Sequence, residues 1–163
     1  MKSRVKTMSA ERKRETPNAR TRKILVAVDF SDGSRAALRY AAQLAGPLNA
    51  AVTVLNVVEV NNGWLKIGAD AFPILDEQLC QSTELRLVDF ARENGVASSG
   101  QFLTRLGKPV EQIVRVAEEL EIDVIVIATR GFTGLKHAVI GSTAEGVVRR
   151  APCAVWIVPG RSA

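Results

Sequence analysis

Between Ile127 and Arg150 the chain reads IATRGFTGLKHAVIGSTAEGVVRR, an apolar run followed by Gly131, Gly134 and Gly141 and then by a helical pattern. Glycines let a backbone turn with its N–H groups outward and let a ligand approach closely. Ser142 and Thr143 follow the last glycine, where a helix would begin. The free N–H donors and positive dipole end of a helix start favour an anion. Arg130, Lys136 and His137 add cationic groups in the same segment. The chemistry that suits these types at this spacing is phosphate binding. A second reading needs no ligand. Ser142 with Glu145 has the S-x-x-E spacing of a capping box, worth about 1 kcal/mol to a helix. The two are compatible, since Ser142 can cap an empty helix and turn to a phosphate when one arrives.

Asp29 closes another apolar run, KILVAVDF. A carboxylate suits hydroxyl donors such as those of a ribose and repels phosphate, so Asp29 complements the glycine segment. Its alternative role is local, because DFSD is rich in groups that bond within a turn. Other chemistries find little material. His137 is the single histidine, which removes a histidine metal cluster and leaves a Ser-His-Asp triad resting on one residue; a surface imidazole is the simpler reading. No segment supplies the G-x-x-x-x-G-K-[ST] of P-loop kinases. FSDGS has one glycine where adenylate-forming or pyrophosphatase PP-loop enzymes carry S-G-G-x-D-S. Trp64 and Trp156 are expected to pack rather than to recognise bases. Cys80 and Cys153 lie in apolar surroundings without a metal-type partner nearby, so buried, reduced thiols of a cytoplasmic protein are expected.

The elements that must position these groups follow from periodicity. Apolar, β-branched runs predict strands at Lys23–Phe30, Ala50–Val60, Gly100–Leu106, Asp123–Thr129 and Pro152–Pro159. Between them, SDGSRAALRYAAQLAG predicts a helix capped by Ser31 or Asp32 and ended by Gly46 and Pro47. A second helix is expected from about Ile74 to Asn94, ended by Gly95. A third opens at Gly107 and Pro109, where proline's missing N–H costs nothing. A short helix follows the glycine segment. Strands alternating with helices predict an α/β fold, a five-stranded parallel sheet sandwiched by helices in the Rossmann-like manner. Ligands of such sheets bind beyond the carboxyl ends of the strands, where strand order reverses. Three stretches qualify: Asp29, Val57 to Glu59, and Thr129 to Gly131. The pattern does not give the strand order.

At 163 residues the chain fits one domain with a sizeable core. Its net charge of +5 resides in a tail. Residues 1–22 hold eight Lys/Arg against two Glu, or +6, and residues 23–163 hold fourteen Lys/Arg against fifteen Asp/Glu, or −1. We therefore expect a mobile basic tail over 1–22 and a domain over 23–160. Such a tail supports nonspecific, salt-screened contact with nucleic acid or acidic lipid, or no dedicated partner at all. No apolar run approaches a membrane span, and the N-terminus lacks the apolar section of a secretory signal. A cytoplasmic location is expected.

From Lys23 to Pro159 the chain resembles the universal stress protein family, whose nucleotide-binding members carry G-x-x-G-x9-G-[S/T]. The corresponding run is Ala128-Thr129-Arg130-Gly131, nine residues, then Gly141-Ser142. VDFS, LNVVE, GKPVEQI and APCAVWIVP are similar to that family as well. The resemblance implies the adenine-nucleotide α-hydrolase-like sheet. It implies ATP binding, with Mg²⁺ on the phosphates, in a stress-response or regulatory module without strong catalysis. Asp29 and the backbone around Ala128 would hold the ribose, and the main chain at Val57 would meet the adenine edge. Gly131, Gly141, Ser142 and Thr143 would hold the phosphates. Ala27, Val28 and Arg130 complete the implied set. A homodimer through the last strand, Ala154, Val155, Trp156, Ile157 and Val158, is implied too, and an apolar edge strand favours such pairing. The chain departs from the pattern at Ala128, where the motif has its first glycine. That position requires either a small side chain or a positive φ, and only the first suits alanine. Some members of the family bind no nucleotide, so a dimeric interaction protein is the alternative; an open pocket beside Asp29 would separate the two.

Overall fold

Ile24 to Val28 are buried without a break, because this strand lies at the centre of the sheet and has helices over both faces. In the computed structural model, which describes residues 23–59, 72–96, 100–129 and 140–159, the strand β1 spans Lys23–Val28. It is followed by α1 (Asp32–Leu48), β2 (Ala51–Val58), α2 (Phe72–Glu93), β3 (Gln101–Leu106), α3 (Pro109–Glu119), β4 (Val124–Ala128), α4 (Ser142–Arg150) and β5 (Ala154–Val158). All four strand pairs are parallel, in the order β3-β2-β1-β4-β5. Chain progress runs outward from β1 in one direction and then, after β3, restarts on its other side at β4. The reversal therefore falls between β1 and β4. The N-terminal tail, the β2–α2 connection and the segment from Arg130 to Val139 lie outside the described residues, as does Trp64.

Alternation along β1 divides the core in two. Ile24, Val26 and Val28 point to the face covered by α1 and α2, where they meet Leu38, Ala41, Leu87 and Phe90. Leu25 and Ala27 point to the other face, against Ile113, Val116, Ala144 and Val147 of α3 and α4. Each fully buried Leu, Ile or Val contributes about 1.5–3 kcal/mol relative to exposure.

Two helix boundaries differ from the sequence expectation. Helix α1 passes through Gly46 and Pro47 and stops at Asn49, which adopts φ 50°, while the Ala50 N–H donates back to the Ala45 carbonyl at 3.0 Å. Proline's locked φ is itself helical, so in a last turn it costs one hydrogen bond and does not end the helix; the left-handed cap does. Helix α4 begins one residue earlier than an N-cap at Ser142 requires. Gly141 is the N-cap and Ser142 the first helical residue. Elsewhere the ends agree closely: Ser31 caps α1, Gly95 closes α2 at φ 89°, and Pro109 opens α3.

Neither cysteine is in a disulfide, and both are half-buried rather than enclosed. Burial pushes the Cys153 thiol above its ordinary range, a hydrogen bond from the Ile125 backbone opposes this, and nearby Asp123 adds to the rise. A raised value leaves less thiolate at any given pH, and thiolate is the reactive form. Alkylation of Cys153, followed by mass spectrometry, should be slower at pH 8 than that of an unperturbed cysteine peptide and should gain most of its rate at higher pH.

Candidate functional site

A cavity of about 360 Å³ opens at the carboxyl ends of β1 and β4, where the strand order reverses, and its volume suits a small-molecule ligand. β1 and the turn after it contribute Ala27, Val28 and Asp29, and β2 with the residue after it contributes Leu55, Val57 and Glu59. β4 and the residue after it supply Ile127, Ala128 and Thr129, while the start of α4 supplies Gly141, Ser142, Thr143 and Ala144. Asp29, Val57, Glu59 and Thr129, drawn from the three stretches nominated by the pattern, thus line one space. Arg130 and Gly131 lie outside the described residues, as do Lys136 and His137.

The α4 end of the cavity carries groups whose chemistry suits an anion. The Gly141 N–H donates to the Thr129 carbonyl at 2.6 Å, which pins together the two ends of the intervening segment. The Glu145 N–H donates to the Gly141 carbonyl at 2.9 Å, the first bond of the helix. The N–H groups of Ser142, Thr143 and Ala144 therefore have no acceptor within α4, and no side chain of the N-cap serves them. The capping box expected from Ser142 and Glu145 does not form, because Ser142 stands inside the helix. The Glu145 carboxylate instead accepts from Arg149 at 2.8 Å. Three donors and the positive end of the helix dipole thus belong to Ser142, Thr143 and Ala144, which line the cavity.

Asp29 stands across this space at the end of β1. Its Oδ1 accepts from the Ser31 N–H at 3.1 Å and from the hydroxyls of Ser31 and Ser34. Ser34 Oγ in turn accepts from the Asp29 N–H at 2.9 Å, and Ser31 Oγ from the Ser34 N–H at 3.2 Å. Asp29 is therefore both a turn residue and a cavity residue, with Oδ1 anchored by the helix cap and the carboxylate placed at the cavity wall. Ser34 is buried and lines the cavity, although its position in the sequence marks it only as part of a helix start.

Ala128 ends β4 in extended backbone and is not among the described non-glycine residues of positive φ, which are Phe30, Asn49 and Glu121. Alanine therefore carries no left-handed backbone cost at this position. Three further residues contribute that the sequence does not mark as site residues. Asn56, buried in β2, donates from Nδ2 to the Val28 carbonyl at 2.8 Å and so holds the β1 end that carries Asp29. Pro109 and Ile113 of α3 form an apolar wall. Among the described residues no group of three or more His, Cys, Asp or Glu is arranged to hold a metal ion, and no helix is long and apolar enough to cross a membrane.

The universal stress protein family model matches residues 20–159. The chain belongs to the universal stress protein family. Universal stress protein MJ0531 of Methanocaldococcus jannaschii is 31% identical over 140 residues, covering 84% of this chain and 81% of that relative. Among solved structures, universal stress protein UspA from Lactobacillus plantarum is 31% identical with a TM-score of 0.67, over 86% of this chain and 99% of that one. The universal stress protein from Archaeoglobus fulgidus, solved in complex with dAMP, is 26% identical with a TM-score of 0.55, over 83% of this chain and 96% of that one. These structures share the single α/β domain with its five-stranded parallel sheet.

Proposed function

We propose that this universal stress protein binds adenine nucleotide, ATP in the first instance, in the cavity between β1 and β4, and acts as a sensing or sequestering module rather than an enzyme. The observation that carries the reading is the pairing, across one cavity, of the Asp29 carboxylate with the three N–H groups that open α4 without an acceptor in the helix. A ribose presents hydroxyl donors and a phosphate presents acceptors, so the two ends complement the two halves of a nucleotide. The dAMP complex of the Archaeoglobus fulgidus relative supports an adenine nucleotide as the class. In this reading Val57 meets the base edge through its main chain, with Arg130 and Gly131 assisting the phosphates. Mg²⁺ enters on the phosphates, which suits an ion that keeps several waters and takes few protein carboxylates. The sequence marks no residue as a general base for the γ-phosphate, and hydrolysis is expected to be slow.

Calorimetric titration of nucleotide-stripped protein with ATP and Mg²⁺, with AMP and GTP as controls, tests the proposal. Micromolar ATP binding that weakens sharply for AMP and GTP supports it. No binding up to millimolar ATP overturns it and leaves the dimeric interaction module as the reading.

Assembly is proposed through β5, an edge strand whose Trp156 is 44% exposed while its ring rests on Tyr40, with centroids 5.1 Å apart. An edge of this kind pairs readily with its own copy. Trp156→Lys is expected to shift the protein to monomer in sedimentation velocity; a persistent dimer places the interface elsewhere.

A further inference from the structure

Phe30 adopts φ 65°, a left-handed conformation that a bulky side chain rarely accepts. It lies directly after Asp29 and directly before Ser31, the N-cap of α1. Its ring packs against the core between the sheet and α1 and α2 rather than lining the cavity. It meets Phe90 of α2 edge-on with centroids 5.2 Å apart, and the Arg86 guanidinium lies 4.1 Å from its centroid. Arg35 of α1 stacks on the Phe90 ring at 4.8 Å and pairs with Glu93 at 3.7 Å. Each of the two aromatic rings thus carries a guanidinium group, and the contacts tie α2 to the turn between β1 and α1. Cation–π and edge-to-face contacts of this kind are attractive. Bulky residues held in the left-handed region persist only where the surroundings over-determine them, and such residues gather at functional sites.

The turn has one product at the cavity. Reversal at Phe30 brings the N–H and hydroxyl of Ser31 and the hydroxyl of Ser34 back onto Asp29 Oδ1. A turn without the left-handed step would carry Ser31 away from Asp29 and release its carboxylate. We infer that Phe30 is a positioning residue for the nucleotide pocket: its ring, clamped by Phe90 and Arg86, holds the strained turn that presents Asp29 to the ribose hydroxyls. This inference rests on the nucleotide reading above.

The readout is discrimination between ATP and 2′,3′-dideoxy-ATP, because only the first offers hydroxyl donors to Asp29. Wild-type protein should prefer ATP by about tenfold or more, as expected for a hydrogen bond to a charged group. Phe30→Ala keeps an L side chain at the left-handed position while removing the clamp. It should weaken ATP by about tenfold and bring the ratio of the two affinities toward one, whereas Phe30→Tyr, which keeps the ring, should retain both. Arg86→Ala, on the exposed side of α2, leaves the core untouched and should lower the ratio two- to threefold, which keeps the test decisive if Phe30→Ala does not fold. A wild-type ratio in Phe30→Ala, or in Arg86→Ala where the former does not fold, reduces Phe30 to a packing residue and overturns the inference. Wild-type protein that binds ATP and dideoxy-ATP equally overturns the ribose role of Asp29 and this inference with it. Wild-type protein that binds neither overturns the nucleotide reading itself.

Discussion

Gly141→Val is expected to weaken ATP binding by at least about a hundredfold while far-UV circular dichroism stays native. Gly141 has φ −72° and ψ 156°, extended backbone that valine adopts without φ/ψ strain, so the substitution costs α4 only a poorer N-cap, about 1 kcal/mol, and the helix content should persist. What changes is space. Gly141 lines the cavity immediately before the N–H groups of Ser142, Thr143 and Ala144, and a branched side chain there obstructs an approaching phosphate. Each hydrogen bond to a charged group contributes about 1.5–3 kcal/mol, so losing two amounts to a hundredfold or more. Titration calorimetry with ATP and Mg²⁺, set beside the circular dichroism spectrum, checks both halves. Unchanged affinity would remove the α4 N-terminus from the phosphate role.

The second large effect concerns Gly146, in the middle of α4. Helix propensity alone predicts that Gly146→Ala stabilises by about 1 kcal/mol. The structure predicts the opposite sign. A Cβ at Gly146 would stand 2.7 Å and 3.2 Å from the two methyl groups of Val110 in α3. Valine is stiff in a helix, so α3 and α4 must separate, and overpacking of this kind costs about 1–3 kcal/mol. Chemical denaturation of a double-mutant cycle separates the two terms: Gly146→Ala should destabilise the wild-type protein and stabilise the Val110→Ala background. A stabilising effect in both would show that α3 yields easily. Because Pro109, next to Val110, also lines the cavity, separation of the helices should weaken ATP binding as well.

Much of the site is legible in the residue pattern, for reasons particular to each position. Asp29, Val57 to Glu59 and Thr129 each end a buried apolar run, and a parallel sheet places such run-ends along one edge. Ser34 and Asn56 are not legible, because their contribution is a hydrogen bond to a group on another element or across a turn. The capping box of Ser142 is legible but wrong by one position. S-x-x-E spacing is satisfied equally whether the serine caps the helix or begins it, and the Gly141 N–H bonded to Thr129 decides in favour of the second. Pro47 misleads for a similar reason: its covalent geometry permits a helical turn, and the stop depends on Asn49 reaching left-handed backbone.

By itself, then, the sequence determined the alternation of strands and helices, the two-faced burial of β1, the placement of the glycines before a helix, and the membership in a family that these motifs carry. Those are properties of local periodicity and residue type, which act over a few neighbours. Only the tertiary structure decided that β1 and β4 lie side by side, that Asp29 faces the start of α4, that Phe30 must turn left-handed against α2, and that Gly146 leaves room for Val110. Those depend on which apolar faces can be buried together once every strand is paired, a condition on the whole chain that no short stretch contains.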